Sequence, residues 1–414
     1  MSSRSKYLAS LDIGSSKICC MIGTQDNNGI NQIVGLGYNK ASGISKGVIS
    51  DFNLAAKSIS NAILEAEKQA NIKISDINIS TSSNIVSTKL FNKRINILEN
   101  RVKNETIDEC LNLVMRNPYF EDKHILHASP VNYSIDGASE ILNPVGMYGT
   151  NLDIDFIIST IGINHYKNYI ECISLCNLDI GQLVFSGLAS GVAVLNDNEL
   201  MLGSVVIEIG STTTSLSIFS NGNFLFSEVI SFGGNNITEA IARFFSISFN
   251  EAEKIKIMHA SAIEHSSDKE ISFEIPSINL HNNENYVQVS KKDLYNLVKP
   301  FVENLLKWIK VVIQKSGVDK TISKQLVITG GGSQLDGLSI LTKNYLNCNS
   351  RIGFPRDIKL NMDNKLDPSH SVAIGTLQSI FRVKEEQNIK NLNSLLTSTN
   401  RFSFIKNWMS EKFF

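Results

Sequence analysis

The sequence predicts an α/β protein with two similar halves that face a common cleft. Two segments, one in each half of the chain, have the same order: residues 8–17 followed by 18–22, and residues 205–214 followed by 215–219. Each indicates a buried strand that ends in a carboxylate, a turn of Gly and small hydroxyl residues, and a second strand. Such a turn presents backbone N–H groups to an anion and holds an acid near a phosphate-bound Mg²⁺. We therefore expect the two halves to close on one nucleotide.

A third strand strengthens this expectation. Residues 325–335 form an apolar run that leads into three glycines. Because glycine has no Cβ, its backbone can approach a flat ligand closely. This segment is therefore the best candidate for the adenosine end of the same ligand.

The bulk properties indicate a multi-domain globular protein. The chain has 414 residues, and single hydrophobic cores stop growing near ~250–300 residues. Hydrophobic residues make up 42% and charged residues 19%, which are ordinary globular values. A net charge of −1 gives no electrostatic footprint for nucleic acid. The N-terminal residues show no apolar signal region, and no run is long enough to span a bilayer, so we expect a cytoplasmic protein.

The six cysteines are scattered along the chain. Cys172 and Cys176 lie four residues apart on a predicted helix, with no matching Cys or His pair. A metal site there stays open as an alternative, although reduced core thiols are the usual state in the cytoplasm.

The order of the motifs resembles a known ATPase superfamily. Asp-Ile-Gly-Ser-Ser-Lys at 12–17, Glu-Ile-Gly-Ser-Thr-Thr at 208–213, Ile-Thr-Gly-Gly-Gly-Ser at 328–333 and Ala-Ile-Gly at 373–375 follow the order of the actin/heat-shock chaperone/sugar kinase ATPases. Residues 43–51 and the extreme C-terminus resemble the FtsA family of bacterial cell-division proteins. The resemblance implies an actin-like ATPase fold, with two ribonuclease-H-like halves around a nucleotide cleft and an inserted small α+β subdomain.

The resemblance also divides the chain into parts. These are residues 1–82 with 163–197 as the first actin-like domain, 83–162 as the inserted subdomain, 198–240 with 325–382 as the second actin-like domain, 241–324 as its smaller subdomain, 383–399 as a flexible linker, and 400–414 as an amphipathic helix. Residues 83–162 show a β-α-β-β order, and a continuation of the first domain is the alternative. The linker is predicted from its Glu/Asn/Lys/Ser/Thr-rich composition. Residues 236–258 are predicted as helical, and so are residues 294–314, in which Pro300 either kinks the helix or marks its first turn.

The family pattern implies roles for the residues of these loops. Asp12 orients Mg²⁺ through water, Glu208 contributes weakly to the metal, and the phosphates lie against Gly14, Ser15, Ser16, Lys17, Gly210, Ser211, Thr212 and Thr213. The adenosine lies against Gly233, Gly234, Glu253, Lys256, Gly330, Gly331, Gly332 and Ser333. An ordinary hairpin turn is the alternative for the first loop, and a solvent-exposed ion pair is the alternative for Glu253 and Lys256. No catalytic residue is identified.

The second phosphate loop departs from the usual Asp-x-Gly-Gly-Gly-Thr pattern. Glu208 is one methylene longer than Asp, and Ser211 and Thr212 stand where glycines are expected. These side chains are expected to narrow the space for phosphate and to occupy positive-φ positions awkwardly. The longer Glu208 is expected to displace the metal or its water, and a displacement of ~1 Å can lower the rate of phosphoryl transfer ~100-fold. We therefore expect binding of ATP with Mg²⁺ and at most weak ATPase activity.

The C-terminal segment has an amphipathic pattern. Large apolar side chains recur at helical spacing and basic residues accompany them: Phe402, Phe404, Ile405, Trp408, Met409, Phe413 and Phe414, with Arg401, Lys406 and Lys412. The segment is too short to span a bilayer, so the pattern predicts a helix that lies in the membrane interface. A helix docked on the protein's own core is the alternative, and the polar segment before it argues against that.

The resemblance implies a role in cell division. It implies that the C-terminal peptide of FtsZ docks on residues 241–324, that the protein forms actin-like filaments, and that later division proteins bind the inserted subdomain. Anionic lipid is an expected partner and nucleic acid is not. The expected location is the cytoplasmic face of the bacterial inner membrane at the division site. The alternatives are a relative of the pilus-assembly actin-like ATPases and, less in keeping with the tail, a sugar or acetate kinase.

Overall fold

The computed structural model describes residues 7–25, 31–265, 271–276, 286–317, 324–360 and 365–394. The predicted membrane helix, residues 400–414, lies outside the described residues, and so do residues 395–399 of the predicted linker.

The first half of the chain is built around a sheet of parallel and antiparallel strands. Its elements are β1 (Tyr7–Ile13), β2 (Lys17–Gln25), β3 (Asn31–Lys40), β4 (Ile44–Ser45), β5 (Val48–Ile49), α1 (Phe52–Ala70) and β6 (Asp76–Thr81). The chain then makes a separate layer of β7 (Ser87–Asn96), α2 (Asn104–Met115), β8 (Lys123–Ile135) and β9 (Asn151–Gly162). It returns through α3 (Ile163–Ser174), β10 (Asp179–Phe185), α4 (Ser186–Val194) and α5 (Asp197–Leu202).

The second half repeats the plan with different connections. Its elements are β11 (Ser204–Ile209), β12 (Thr214–Ser220), β13 (Asn223–Ile230), α6 (Gly234–Phe245), α7 (Phe249–His259), β14 (Ser272–Pro276), β15 (Tyr286–Ser290) and α8 (Lys291–Ser316). They continue with β16 (Gln325–Thr329), α9 (Leu338–Leu346), β17 (Asn349–Ile352) and α10 (Ser371–Ser394). Between β17 and α10, the short strand β18 (Lys359–Leu360) joins the sheet of the first half.

The two main sheets share one topology. The first has the order β10-β6-β1-β2-β3-β18, and the second has the order β13-β12-β11-β16-β17. In each, three consecutive strands form an antiparallel meander, and its first strand also pairs in parallel with a later strand: β1 with β6, and β11 with β16. β1 and β11, which carry the two predicted phosphate loops, therefore occupy equivalent positions in their sheets. The carboxyl end of each strand lies at the equivalent edge of its sheet.

Alternation along the strands places apolar side chains on both faces of each sheet. Ala9, Leu11 and Ile13 of β1 pack under α1 and α3, while Leu8 packs against the layer that contains α4 and α10. The outer face of the second sheet packs on α6, α7 and α8. Helices α4 and α10 therefore share a core with both sheets, and this shared core fixes the two halves relative to each other.

Residues 87–162 form a three-stranded sheet, β7-β9-β8, with α2 against it. Phe156, Ile158 and Cys110 lie in a core of this layer's own. The predicted β-α-β-β order is confirmed. The chain enters and leaves this layer at neighbouring points, because Ser87 of β7 pairs with Thr160 of β9.

Two predicted elements are wrong in their extent. Residues 236–258 form two helices rather than one, because Ser246 has a left-handed φ of 53° and Ser248 caps a new helix by accepting from Glu251 N at 3.3 Å. The predicted linker 383–399 is helical as far as Ser394, since α10 continues to that residue. Residues 383–394 contain no Gly or Pro and include Lys, Glu and Leu, which favour a helix.

Pro300 lies inside α8 and not in its first turn. No helix among the described residues is long and apolar enough to cross a membrane.

The contact between α4 and α10 depends on Gly375. A Cβ built on Gly375 would lie 1.7 Å from the carbonyl oxygen of Ala189, so a side chain there forces the two helices apart. We predict that Gly375→Val lowers the midpoint of thermal unfolding, with a loss of at least about 1–3 kcal/mol from overpacking. Gly162→Ala is the matched control, because its Cβ would have its nearest contact at 3.4 Å, from His165. Equal midpoints for the two variants would contradict this packing.

Candidate functional site

A cavity of about 930 Å³ lies between the two halves. The carboxyl ends of β1, β11 and β16 reach it, which brings the three sequence motifs together. Most of the predicted nucleotide residues line it: Asp12, Gly14, Ser16, Lys17, Glu208, Gly210, Ser211, Thr213, Gly234, Glu253, Lys256, Gly330, Gly331 and Gly332. Residues far apart in the sequence therefore share one site.

Four predicted residues do not line this cavity: Ser15, Thr212, Gly233 and Ser333. Ser15 Oγ accepts from the backbone N–H of Gly47 at 3.0 Å. Ser333 is buried, and its hydroxyl donates to the carbonyl of Gly330 at 2.7 Å. These side chains shape the loops instead of facing a ligand.

Two carboxylates face the cavity from opposite halves. Burial raises the pKa of Asp12, and the hydroxyl of Ser80, which donates to its Oδ1 at 3.0 Å, opposes that rise together with the charge of Lys17. Glu208 is buried, and burial followed by the charge of Asp12 raises its pKa to about 8, against a hydrogen bond from Ser215. A divalent cation between the two acids would favour the ionised form of both, which burial opposes.

The donor set fits a hydrated Mg²⁺. Within the described residues, no group of three or more His, Cys, Asp and Glu side chains could hold a metal ion by itself. Mg²⁺ is commonly bound through one or two carboxylates, water and substrate phosphates. Asp12 and Glu208 supply that number of carboxylates, and the two loops predicted to bind phosphate lie beside them.

The second phosphate loop is fixed to the start of α6. Gly210 N donates to Thr213 O at 2.9 Å, Gly234 N donates to Gly210 O at 3.0 Å, and Asn235 N donates to Ser211 O at 2.7 Å. The expectation of awkward positive-φ positions is wrong, because neither Ser211 nor Thr212 has a positive φ. The loop thus accepts these side chains without backbone strain, and only the lost space and the longer acid remain as departures.

The three consecutive glycines have different roles. Gly330 has a φ of 82°, and a Cβ there would lie 2.5 Å from Ile209 O. A Cβ on Gly332 would lie 2.4 Å from Ile209 Cγ2. Gly331 is exposed to the cavity, and its Cβ would have its nearest contact at 3.7 Å, from Ser369. Two of the glycines therefore allow the turn to pack on β11, and Gly331 is the one that leaves room for a ligand.

Glu253 and Lys256 form an ion pair inside the cavity. Lys256 Nζ lies 2.7 Å from Glu253 Oε2, and it donates to Thr238 Oγ1 at 2.9 Å and to Gly234 O at 3.3 Å. The Lys256 side chain is only 14% exposed, which argues against the alternative of a solvent-exposed pair. The pair joins α7 to the first turn of α6, beside the second phosphate loop.

Sequence reasoning missed a polar network beside the first phosphate loop. Lys17 Nζ donates to Ser369 Oγ at 3.1 Å, and Ser369 donates through its backbone N at 2.8 Å and through Oγ at 2.6 Å to Asp367. His370 bonds to both Asp367 and Tyr38. The hydrogen bond from His370 and those from Ser369 hold the pKa of Asp367 well below its usual range. The Asp-Pro pair just before the 373–375 motif is the sequence signal that could have indicated it.

A second missed group lies at another part of the cavity wall. His265 Nε2 is 2.9 Å from Asp336 Oδ2, and Ser261 Oγ donates to Asp336 O at 3.3 Å. The backbone of Asp336 is held by a second hydrogen bond, since Ala262 N donates to Asp336 O at 2.7 Å. Asp336 directly follows the glycine segment in the sequence, but its partner His265 is far from it along the chain.

Solved structures share this architecture. The protein of a PilM-PilN type IV pilus biogenesis complex matches with a TM-score of 0.66 and 16% identity, over 91% of this chain and 99% of that chain. MreB5 of Spiroplasma citri, bound to ADP, matches with a TM-score of 0.56 and 13% identity, over 94% and 99%. At these identities the likeness concerns the fold alone. It confirms the predicted actin-like ATPase fold.

Sequence comparisons are more specific. Residues 205–375 match the family described as Cell division protein FtsA, and residues 84–160 match the SHS2 domain inserted in FTSA. Cell division protein FtsA of Buchnera aphidicola subsp. Schizaphis graminum is 30% identical over 100% of both chains. That of Agrobacterium fabrum is 30% identical over 91% of this chain and 87% of its own, and that of Escherichia coli K12 is 28% identical over 90% of each. The chain therefore belongs to the FtsA family of cell-division proteins.

Proposed function

We propose that this FtsA-family protein binds ATP with Mg²⁺ between its two halves and connects FtsZ filaments to the cytoplasmic face of the inner membrane at the division site. The observation that carries the nucleotide part is the pair Asp12 and Glu208, which face one cavity from opposite halves beside two loops of phosphate-binding type. MreB5 of Spiroplasma citri, which shares the fold, is bound to ADP, and this supports a nucleotide as the ligand.

Each end of the nucleotide has its own set of residues in this proposal. The two acids would orient the ion through water, and the loops 12–17 and 208–213 would hold the phosphates by backbone N–H groups. Glu253 and Lys256 would contact the ribose, and Gly331 would lie beside the base. The Mg²⁺ ion, when bound, would neutralise phosphate charge.

Turnover in this site is proposed to be slow at most. Glu208 carries its carboxylate one methylene farther than Asp would, and Ser211, at a position where glycine is expected, adds a side chain to the cavity wall. Phosphoryl transfer depends on positioning and on the placement of charge, so such displacements cost rate before they cost affinity. We assign no residue as a catalytic base.

The nucleotide proposal predicts a specific loss of binding. Gly331→Glu should weaken Mg²⁺–ATP binding at least about tenfold, because its side chain fills the cavity and adds a negative charge beside the base. The matched control is Gly331→Ala, since a single Cβ meets only Ser369 at 3.7 Å and should leave affinity near the wild-type value. Isothermal titration calorimetry with full-length protein measures both. Equal ATP affinities for a folded Gly331→Glu protein and its control would contradict the proposed site.

The membrane part of the proposal rests on the sequence of residues 400–414. Full burial of a large apolar side chain contributes ~1.5–3 kcal/mol, and each basic residue adds ~1 kcal/mol near anionic lipid. Even if burial at the interface is about half complete, the apolar stripe outweighs the charges. Insertion is therefore mainly hydrophobic and reversible.

Two charge substitutions on opposite faces of the predicted helix test this anchor. Trp408→Glu places a charge in the apolar stripe and should release the full-length protein from anionic liposomes in a co-sedimentation assay. Asn407→Glu makes the same change in charge on the opposite face of the helix, so it should keep most of the binding. Full co-sedimentation of the Trp408→Glu protein would rule out this anchor.

The proposed contacts with other proteins fall on separate parts of the chain. We propose that residues 83–162 act as one protein-binding unit for later division proteins, since they have a core of their own and none of the described cavity-lining residues falls among them. Residues 241–324, with α7 and α8, are the proposed docking region for the FtsZ C-terminal peptide. Actin-like filaments of the chain itself are part of the same proposal.

A further inference from the structure

The group formed by Ser261, His265 and Asp336 has no role in the function proposed above. All three residues line the cavity. Asp336 is fixed by its backbone, whose carbonyl accepts from Ala262 N at 2.7 Å and from Ser261 Oγ at 3.3 Å. Its side chain is fixed by His265 at 2.9 Å, yet 63% of that side chain is exposed. A carboxylate is therefore held in one place while it stays accessible.

The course of α7 shows which end of the cavity this group occupies. Glu253, Lys256 and Ile257 of α7 line the cavity at the i, i+3 and i+4 spacing of one helix face, and Met258, His259 and Ala260 line it at the C-terminal end of the helix. Lys256 is tied to Gly234 and so to the second phosphate loop, whereas Ser261 follows the C-terminal end of α7. A helix rises about 1.5 Å per residue. The group therefore lies beyond the ribose pair, on the side away from the phosphates.

Uncovered apolar side chains contribute to this part of the cavity wall, together with the polar residues His259, Lys291 and Gln334. Ile257 and Met258 line the cavity with 73% and 63% of their surface exposed, and half-buried Leu335 lines it as well. Small-molecule sites combine apolar walls with a few fixed polar groups. Apolar faces beside one fixed carboxylate suit a flat heteroaromatic ring with a hydrogen-bond donor on its edge.

We propose that Asp336, held by His265, accepts a hydrogen bond from the exocyclic amino group of a 6-aminopurine and thereby selects adenine nucleotides. This inference rests on the nucleotide site proposed above. An ionised carboxylate accepts hydrogen bonds and donates none, and its two oxygens offer about four acceptor sites, so the bonds from His265, Ser261 and the backbone of Gly337 leave one for the base. The hydrogen bond from His265 lowers the pKa of Asp336, which keeps it ionised at neutral pH.

The test compares ATP with purine riboside triphosphate, which lacks only the exocyclic amine, by calorimetry on the full-length protein with Mg²⁺. The wild-type protein should bind ATP about fivefold to tenfold more tightly than the analogue, as one hydrogen bond to a partly exposed charged acceptor implies. Asp336→Ala should bind the two triphosphates within about twofold of each other, mainly through weaker ATP binding. Asp336→Asn, which keeps the size and one acceptor oxygen, should give an intermediate ratio.

Glu264→Ala is the matched control. Glu264 lies on the same loop and pairs with Lys292 at 3.2 Å, and it is not one of the cavity-lining residues. This variant should keep the wild-type ratio. Equal binding of the two triphosphates by the wild-type protein, or an equal loss of both in Asp336→Ala, would overturn the role of Asp336 and leave the nucleotide site standing. Failure of the wild-type protein to bind either triphosphate would overturn both proposals.

Discussion

Two acidic side chains, Asp12 and Glu208, meet at one cavity from opposite halves, and their ionisation there is opposed by burial. The pKa of Asp12 is raised by burial, and that of Glu208 is raised to about 8 by burial and by the charge of Asp12. Such a pair of buried acids is unfavourable without a cation. A Mg²⁺ ion that carries phosphates would satisfy both acids at once. The relative position of the two halves thus determines whether both acids can face the same ion.

The rest of the fold holds these acids in place. Each is near the end of a strand in a sheet of the same topology, and each strand is flanked by a parallel neighbour that ends at the same edge. Helices α4 and α10 fill the core between the sheets, at a distance that only glycine allows at residue 375. The second phosphate loop is tied to α6, and α6 is tied to α7 through Lys256. The ion pair of Glu253 and Lys256, the loop 208–213 and Glu208 therefore belong to one connected structure.

Local patterns predicted the loops, because a strand, a turn and an acid are encoded within a few residues, and the resemblance of the motif order to a known superfamily predicted the actin-like fold. Contacts between distant segments were not predictable in this way. Lys17 meets Ser369 only after both sheets and α10 are in place, and His265 meets Asp336 only across two loops. The different roles of Gly330, Gly331 and Gly332 depend on what packs behind each one, which is Ile209 in two cases. The break between α6 and α7 depended on two serines whose backbone angles a hydrophobic pattern does not report.

In the proposed complex, both halves hold one Mg²⁺–nucleotide between Asp12 and Glu208. Hydrogen–deuterium exchange of the full-length protein, with and without Mg²⁺–ATP, tests it most directly. We expect slower exchange at residues 12–17 and 208–214 together, and a loss of that protection when EDTA removes the ion. Protection of one loop alone, or protection that persists unchanged without the divalent ion, would contradict it.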